Sequence, residues 1–192
     1  MCNLYTQSKS VDEVARLFSE LQMPLTFPEG VPNLQAKEIA ITDPGPIVRA
    51  GDGKPEMVVR RWSWPAPGGK PVFNFRSDGR ELSTGRCLIV ADGFFEFTKP
   101  EDPKAKRKHK WRFTMRDAEQ FAIAGLWRTD SAVGEAFTML TTEPGEDVKP
   151  YHNRQVVVLA PSDFGRWLDP AVPARDLCKP LPAGSLGVEQ IC

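Results

Sequence analysis

The sequence predicts an α+β protein: a single mainly-β domain with a curved sheet or barrel-like core and a few short helices. A chain of 192 residues suits one domain. Its 18 prolines and 15 glycines are typical of many turns between short strands. Apolar residues also recur in short runs rather than in long helical stretches. We therefore expect one domain over residues 1–192, in which the tail at 170–192 has the weakest pattern.

A helix is predicted near the start of the chain. Apolar residues at helical spacing mark Val11–Leu21, Ser10 is a suitable N-cap, and Pro24 lies beyond the end. A short helix is also expected at Ser162–Leu168, with Ser162 as its cap, and a shorter helical segment near Ala174–Cys178. Helices therefore make up a minor part of the predicted fold.

Strand-like runs occupy most of the sequence between these helices, and Gly and Pro separate nearly all of them. They are Pro46–Arg49, Met57–Trp62, Cys87–Ala91, Phe94–Phe97, Lys110–Met115, Phe121–Trp127, Ala136–Thr141 and Gln155–Leu159.

Charge and composition exclude several classes of function. The formal net charge is zero, so the whole chain has no nucleic-acid signature, and any basic surface is local. The basic cluster Lys104–Arg112 predicts a hairpin loop that is either simply solvated or in contact with a phosphate backbone. No apolar stretch is long enough for a membrane span and no signal-peptide pattern is present. The four cysteines lack metal-site spacing. We expect a cytoplasmic monomer without membrane contact, metal or cofactor.

Cys2 is the most informative residue, because it directly follows the initiator methionine. Removal of Met1 would give a 1,2-aminothiol, whose amine can attack a carbonyl and whose sulfur can then close a five-membered ring. The same residue can act as an N-terminal thiolate nucleophile. It can also be an incidental residue that is buried or disordered at a terminus.

Polar residues in four further segments are candidates for a site. Asn74 and Arg76 are two apart on an extended segment and are expected to face one side, where an amide and a guanidinium suit a phosphate or an oxyanion. Glu96 lies in an aromatic strand, where loss of solvation raises a carboxyl pKa towards the range useful for acid–base chemistry. Arg76 and Glu96 are equally suited to a structural ion pair.

His152 and Arg154 alternate before a strand, and His152 can donate or accept a proton near neutral pH. Trp62, in the basic and aromatic run 61–65, is either a core residue or a surface on which an unpaired base stacks.

The order of these segments resembles the SOS-response-associated peptidase (SRAP) family. The matching features are Cys2, Arg-Trp, Phe-Asn-x-Arg-Ser, Arg-Cys-Leu-Ile-x-Ala-Asp-Gly-Phe-Phe-Glu, Ala-Gly-Leu-Trp, Leu-Thr-Thr and His-x-Arg, which run from residue 2 to about 169. Departures include the opening Met-Cys-Asn-Leu-Tyr, where the family usually has Met-Cys-Gly-Arg-Phe.

The resemblance implies a role for each matching residue. Cys2, Asn74, Glu96 and His152 would be catalytic, whereas the DNA-binding set would be Arg76, Arg154, Trp62 and Arg80. Trp62 would help to splay and stack the bases beside the lesion. The implied function is to bind single-stranded DNA that contains an abasic site and to trap it as a covalent thiazolidine, which shields the lesion from strand cleavage. Autoproteolytic removal of Met1 and crosslink reversal would accompany it.

Two other classes of function remain open from the residues. One is an N-terminal nucleophile amidohydrolase of the glutamine amidotransferase kind, in which the Cys2 thiolate attacks an amide. The other is a non-enzymatic module that binds single-stranded DNA through the basic loop and the tryptophans.

Overall fold

The structure, a computed structural model, describes residues 2–102, 104 and 106–191. Its two α-helices among these residues are α1 (Val11–Glu20) and α2 (Phe164–Leu168). The strands of the described chain are β1 (Leu4–Gln7), β2 (Lys37–Ala40), β3 (Pro44–Ala50), β4 (Pro55–Trp62), β5 (Trp64–Pro65), β6 (Pro71–Val72), β7 (Asn74–Arg76), β8 (Arg86–Ala91), β9 (Gly93–Thr98), β10 (His109–Met115), β11 (Phe121–Asp130), β12 (Gly134–Thr142), β13 (Gln155–Val156), β14 (Val158–Leu159) and β15 (Leu186–Gln190).

Five strands of the described chain close into a barrel. Strand β12 pairs with β4 in parallel, β4 with β3, β3 with β8, β8 with β11, and β11 returns to β12. Closure removes the exposed edges that an open sheet of these strands would present. The predicted mainly-β domain with a barrel-like core is therefore confirmed.

Both faces of the barrel strands are buried. Ile47, Ile89 and Ile123 belong to one apolar cluster, which extends to the second sheet. Apolar residues on the opposite face of these strands belong to a second cluster. This cluster includes Phe18 of α1 and Trp167 of α2, so both helices pack against that face. Burial on both faces explains why these strands are nearly continuous apolar runs rather than alternating ones.

The amino-terminal strand lies inside the second sheet, whose order is β15-β10-β9-β1-β2. Tyr5 pairs with Ile39 of β2 on one side and with Phe94 of β9 on the other. Strand β15 belongs to the weakly patterned tail and pairs with β10. The sequence patterns indicated neither β1 nor β15, because each is short and is fixed by pairing with distant strands.

The helix predictions are confirmed in position and corrected in detail. Helix α1 has the expected Ser10 cap, within a capping box with Glu13, and Leu21 is its C-cap. Ser162 does not cap α2, because a 3-10 turn at Pro161–Asp163 precedes the helix and no side chain bonds to its first turn. The segment near Ala174 is a 3-10 helix, Ala174–Asp176.

Two strand predictions also change. The run Gln155–Leu159 forms two strands rather than one, because β13 pairs with β12 and β14 pairs with β11. The basic cluster is only partly a loop, since β10 begins at His109 and includes Lys110 and Arg112; Ala105 of this cluster lies outside the described residues. No helix among the described residues is long and apolar enough to cross a membrane.

Candidate functional site

Cys2 is buried at the start of the amino-terminal strand. Only 1% of the residue is exposed. The Asn74 side-chain amide donates to the Cys2 carbonyl oxygen at 2.8 Å, and the Cys2 thiol donates to the Leu4 carbonyl oxygen at 3.2 Å. Burial, and next the Glu96 carboxylate, raise the pKa of the Cys2 thiol to about 12. The thiol is therefore held neutral at physiological pH.

Glu96 lies on β9, next to the amino-terminal strand, and is 1% exposed. Burial raises the pKa of its carboxyl to about 7, an increase that the positive charge of the amino terminus limits. Strand β9 pairs with the amino-terminal strand at Tyr5, and the Glu96 carboxylate is one cause of the raised pKa of the Cys2 thiol. A carboxyl with such a pKa can take up and release a proton near neutral pH.

His152 can change its protonation state without losing its backbone contacts. Its Nδ1 lies 3.0 Å from both the backbone nitrogen and the carbonyl oxygen of Arg154. Nδ1 can accept from the Arg154 N–H when the neutral ring carries its proton on Nε2, and it can donate to the Arg154 carbonyl when Nδ1 is protonated. Burial, and then the charge of the amino terminus, lower the pKa of His152. The ring is thus suited to proton transfer.

Strand β7 positions the Asn-x-Arg segment beside β12, where Asn74 pairs with Met139 and Arg76 with Thr141. Asn74 is half-buried and reaches Cys2, whereas Arg76 is exposed. Among the described residues no partner is recorded for the buried Oδ1 of Asn74. Asn74 therefore has a polar atom left for a ligand, and Arg76 faces solvent.

Arg154 is held by a carboxylate in this structure. Its guanidinium donates to Asp78 Oδ1 at 3.2 Å and to Oδ2 at 2.6 Å, and also to the Thr141 carbonyl oxygen at 2.9 Å. Arg80 lies farther along the same loop, with its guanidinium 4.6 Å from the centroid of the Phe75 ring. An incoming phosphate at Arg154 would therefore have to replace Asp78.

Trp62 does not fit the role that the resemblance implied. It has no exposed surface, its indole N–H donates to the Phe73 carbonyl oxygen at 2.9 Å, and its ring meets Tyr5 edge-on. Trp64 is also buried, at 6% exposed. The expectation that bases stack on Trp62 therefore conflicts with this structure, because the side chain is fully buried. Trp62 instead packs against Tyr5, which lies in the same strand region as Cys2, and bonds to Phe73, the residue before Asn74.

Three residues near the site were missed by sequence reasoning. Trp111 pairs with Glu96 across β9 and β10, and its ring lies 4.7 Å from that of Tyr151, which precedes His152. Asp78, the partner of Arg154, is the third. Only strand pairing brings Trp111 to Glu96, whereas the position of Tyr151 directly before His152 is a signal that the sequence itself carries. The described residues contain no group of three or more His, Cys, Asp or Glu able to hold a metal ion.

Comparisons with known proteins agree on one family. A family model described as SOS response associated peptidase (SRAP) matches residues 1–191. The chain is 34% identical to the abasic site processing protein YoaM of Bacillus subtilis (strain 168) over 116 residues, which cover 58% of this chain and 48% of the relative. It is also 34% identical to the abasic site processing protein YoqW of Bacillus phage SPbeta over 105 residues, covering 53% and 43%. The matched segments thus span about half the length of these curated relatives.

Solved structures share the fold at lower identity. A protein of Bordetella bronchiseptica has a TM-score of 0.72 at 23% identity, and the match covers 100% of both chains. A protein of Bacteroides thetaiotaomicron has a TM-score of 0.73 at 17% identity, covering 100% of this chain and 92% of the other. The whole described architecture therefore recurs in bacterial proteins of distant sequence.

Proposed function

Because the chain belongs to the SOS response associated peptidase (SRAP) family, we propose that it processes abasic sites and traps them in single-stranded DNA through Cys2. The mature amino terminus, freed of Met1 by autoproteolysis, forms a thiazolidine with the sugar aldehyde. The product is a covalent complex that protects the strand from cleavage.

One observation carries this proposal: the buried Glu96 carboxyl, with a pKa of about 7, lies on the strand that pairs with the amino-terminal strand, and the Cys2 thiol is held neutral. An amine must be neutral to attack an aldehyde, and Glu96 is the group suited to accept its proton. A thiol with a pKa of about 12 is a poor first nucleophile. The order of attack is therefore amine first and sulfur second.

The reaction begins with the closed sugar of the abasic site. His152 donates a proton to the ring oxygen and the ring C–O bond breaks; the anomeric hydroxyl loses its proton, which restores the proton that His152 gave, so the open aldehyde forms. The Cys2 amine adds to the aldehyde carbon, and its proton passes to Glu96. Protonated Glu96 then assists the departure of water to leave an imine.

Ring closure completes the reaction. The Cys2 sulfur adds to the imine carbon, the thiol proton ends on the nitrogen, and one water has been released in total. Because the imine is consumed, the acidic neighbouring proton that drives β-elimination is no longer activated. The same groups can run these steps backwards, which accounts for crosslink reversal.

Positioning is the task proposed for the remaining residues. Asn74 fixes the Cys2 carbonyl through the 2.8 Å hydrogen bond, so the amine is delivered in one orientation. Arg76, Arg80 and Arg154 lie on the β7 side of the site and are suited to phosphates that flank the lesion. The partly exposed Trp111–Tyr151 pair offers an aromatic surface next to the proposed acid and base, because Trp111 pairs with Glu96 and Tyr151 precedes His152.

The test is a denaturing gel of the mature protein with single-stranded DNA that carries one abasic site. A heat-stable adduct is expected, with a mass equal to protein plus DNA minus one water. Cys2→Ala should abolish it, and Cys2→Ser should give only an imine that needs reduction to be seen. Cys178→Ala is the matched control, because it removes a partly exposed thiol outside the site and should leave the adduct intact.

Other outcomes would point to the other classes. An adduct that persists in Cys2→Ala would refute the aminothiol mechanism. Glutamine hydrolysis without an adduct would favour the amidohydrolase, although a thiol held neutral by burial does not suit that chemistry. Salt-sensitive binding of intact strands with no covalent product would favour a simple binding module.

A further inference from the structure

A cleft of about 630 Å3 lies outside the site around Cys2. One wall is the loop between β7 and β8, including Asp78 and Arg80, and the other is the segment after α2, including Arg175 and Cys178. Arg86 forms part of its lining. Its volume falls within the range of roughly 300–1,000 Å3 that is usual for small-molecule sites.

Arg86 is a buried cation that forms no direct ion pair with an acidic side chain among the described residues. The residue is 6% exposed, and its guanidinium lies 4.7 Å from the centroid of the Trp167 ring. Its Nε donates to the Leu82 carbonyl oxygen at 2.7 Å, and its Nη1 donates to the carbonyl oxygens of Trp167 and Asp169. These acceptors are neutral peptide groups that orient the guanidinium. Burial lowers the pKa of Arg86 overall, because it disfavours the charge more than the nearby Asp169 carboxylate offsets it.

The second terminal nitrogen of Arg86 is the group left for a ligand. Nη2 makes no hydrogen bond within the described residues. It is also not fully buried, so part of it is accessible to solvent. Because the residue lines the cleft, the accessible part of Nη2 faces that space. A buried cation with unused donors strongly favours an anion at this position.

The charge of the rest of the cleft points the same way. Arg80 and Arg175 are exposed on its two walls. Of the two acidic residues in the lining, Asp78 is already neutralised by Arg154, and Glu81 is exposed on the outer loop. The cleft therefore presents three guanidinium groups against one uncompensated carboxylate.

We propose that this cleft binds a phosphate group, with Arg86 as the fixed contact and Arg80 and Arg175 closing over it from opposite walls. Planar guanidinium groups match phosphate oxygens through paired hydrogen bonds, and their combination with a roomy cleft suits a nucleotide rather than a bare ion. The phosphate comes either from a DNA strand or from a free nucleotide. The cleft takes no part in the chemistry at Cys2, but it shares Arg80 and the Asp78 loop with the groups proposed to hold the phosphates that flank the lesion.

The proposal is tested by titrating 15N-labelled full-length protein with inorganic phosphate, a nucleoside 5′-monophosphate and a short intact single strand. Saturable shifts are expected for the Arg86 Nε–H and the Trp167 indole N–H, because these groups lie together behind the cleft. Arg175→Glu, on the exposed wall, should weaken that binding about tenfold. Ala171→Trp should also weaken it, by filling the space.

Arg16→Glu on α1 is the matched control, because it makes the same charge change at an exposed position elsewhere. Cys2→Ala should leave the cleft titrations unchanged, so failure of the abasic-site proposal and failure of this one are distinguishable. A response to nucleotide and strand alike, or to either alone, supports the phosphate site and identifies its source. Absence of saturable shifts with all three probes, or equal weakening by Arg16→Glu, would overturn it.

Discussion

Replacement of Glu96 by glutamine should make the protein more stable and less active at alkaline pH. The carboxyl is 1% exposed, and burial raises its pKa from 4.5 to about 7. Each pKa unit corresponds to about 1.4 kcal/mol, so the ionised carboxylate costs the folded state about 3 kcal/mol relative to the protonated form. Glutamine has nearly the same shape and does not ionise in this range.

The sign of the pH dependence follows from the raised pKa. The folded state binds the Glu96 proton more tightly than the unfolded state does, so its stabilising contribution is fully present below pH 4.5. That contribution declines as the pH rises and is lost above about 7. We therefore compare the free energies of unfolding of the two proteins. The stability of Glu96→Gln relative to the wild type should increase by about 3 kcal/mol between acid and alkaline pH.

Urea unfolding of both proteins at about pH 4.5 and 8.5, followed by tryptophan fluorescence, measures this difference. All other titrating groups are common to the two proteins and largely cancel. Glu143→Gln, which replaces an exposed carboxyl, controls for the chemical change itself. A difference that stays constant with pH, or a wild type that is the more stable protein at alkaline pH, would refute the reasoning. Adduct formation should fall by about a hundredfold or more, because the proton acceptor is lost.

Three further predictions concern packing, capping and charge. Gly45→Ala should destabilise the fold by about 1–3 kcal/mol in urea unfolding, because the new methyl group would meet the hydroxyl of fully buried Tyr5; an unchanged midpoint would contradict this. Ser10→Ala should cost about 1 kcal/mol through loss of the α1 cap, and Ser10→Asp should restore most of it. Asp78→Asn should bind intact single strands about three- to tenfold more tightly and with a steeper salt dependence, since it releases Arg154 from a carboxylate; weaker binding would show that the pair only positions the arginine.

Local patterns predicted the elements that depend on neighbours in sequence. Helix α1 follows from the Ser10 N-cap and the helical spacing of apolar residues, and the strands around Ile47 and Ile89 follow from short apolar runs between turn residues. The order of Cys2, Asn74, Glu96 and His152 along the chain also indicated the family. Caps, periodic spacing and apolar runs depend only on neighbouring residues, and the family motifs depend only on which residues are present and in what order.

Long-range pairing decided what the sequence could not. The hydrogen bond from Asn74 to Cys2 joins residues 72 positions apart, and the pair of Arg154 with Asp78 spans 76 positions. The packing around the end of β4 also makes Trp62 a core residue with no exposed surface. Residue types and their order can therefore be read from the sequence alone, whereas burial, partners and the resulting pKa values came only from the tertiary structure, because desolvation depends on every strand packed around a group.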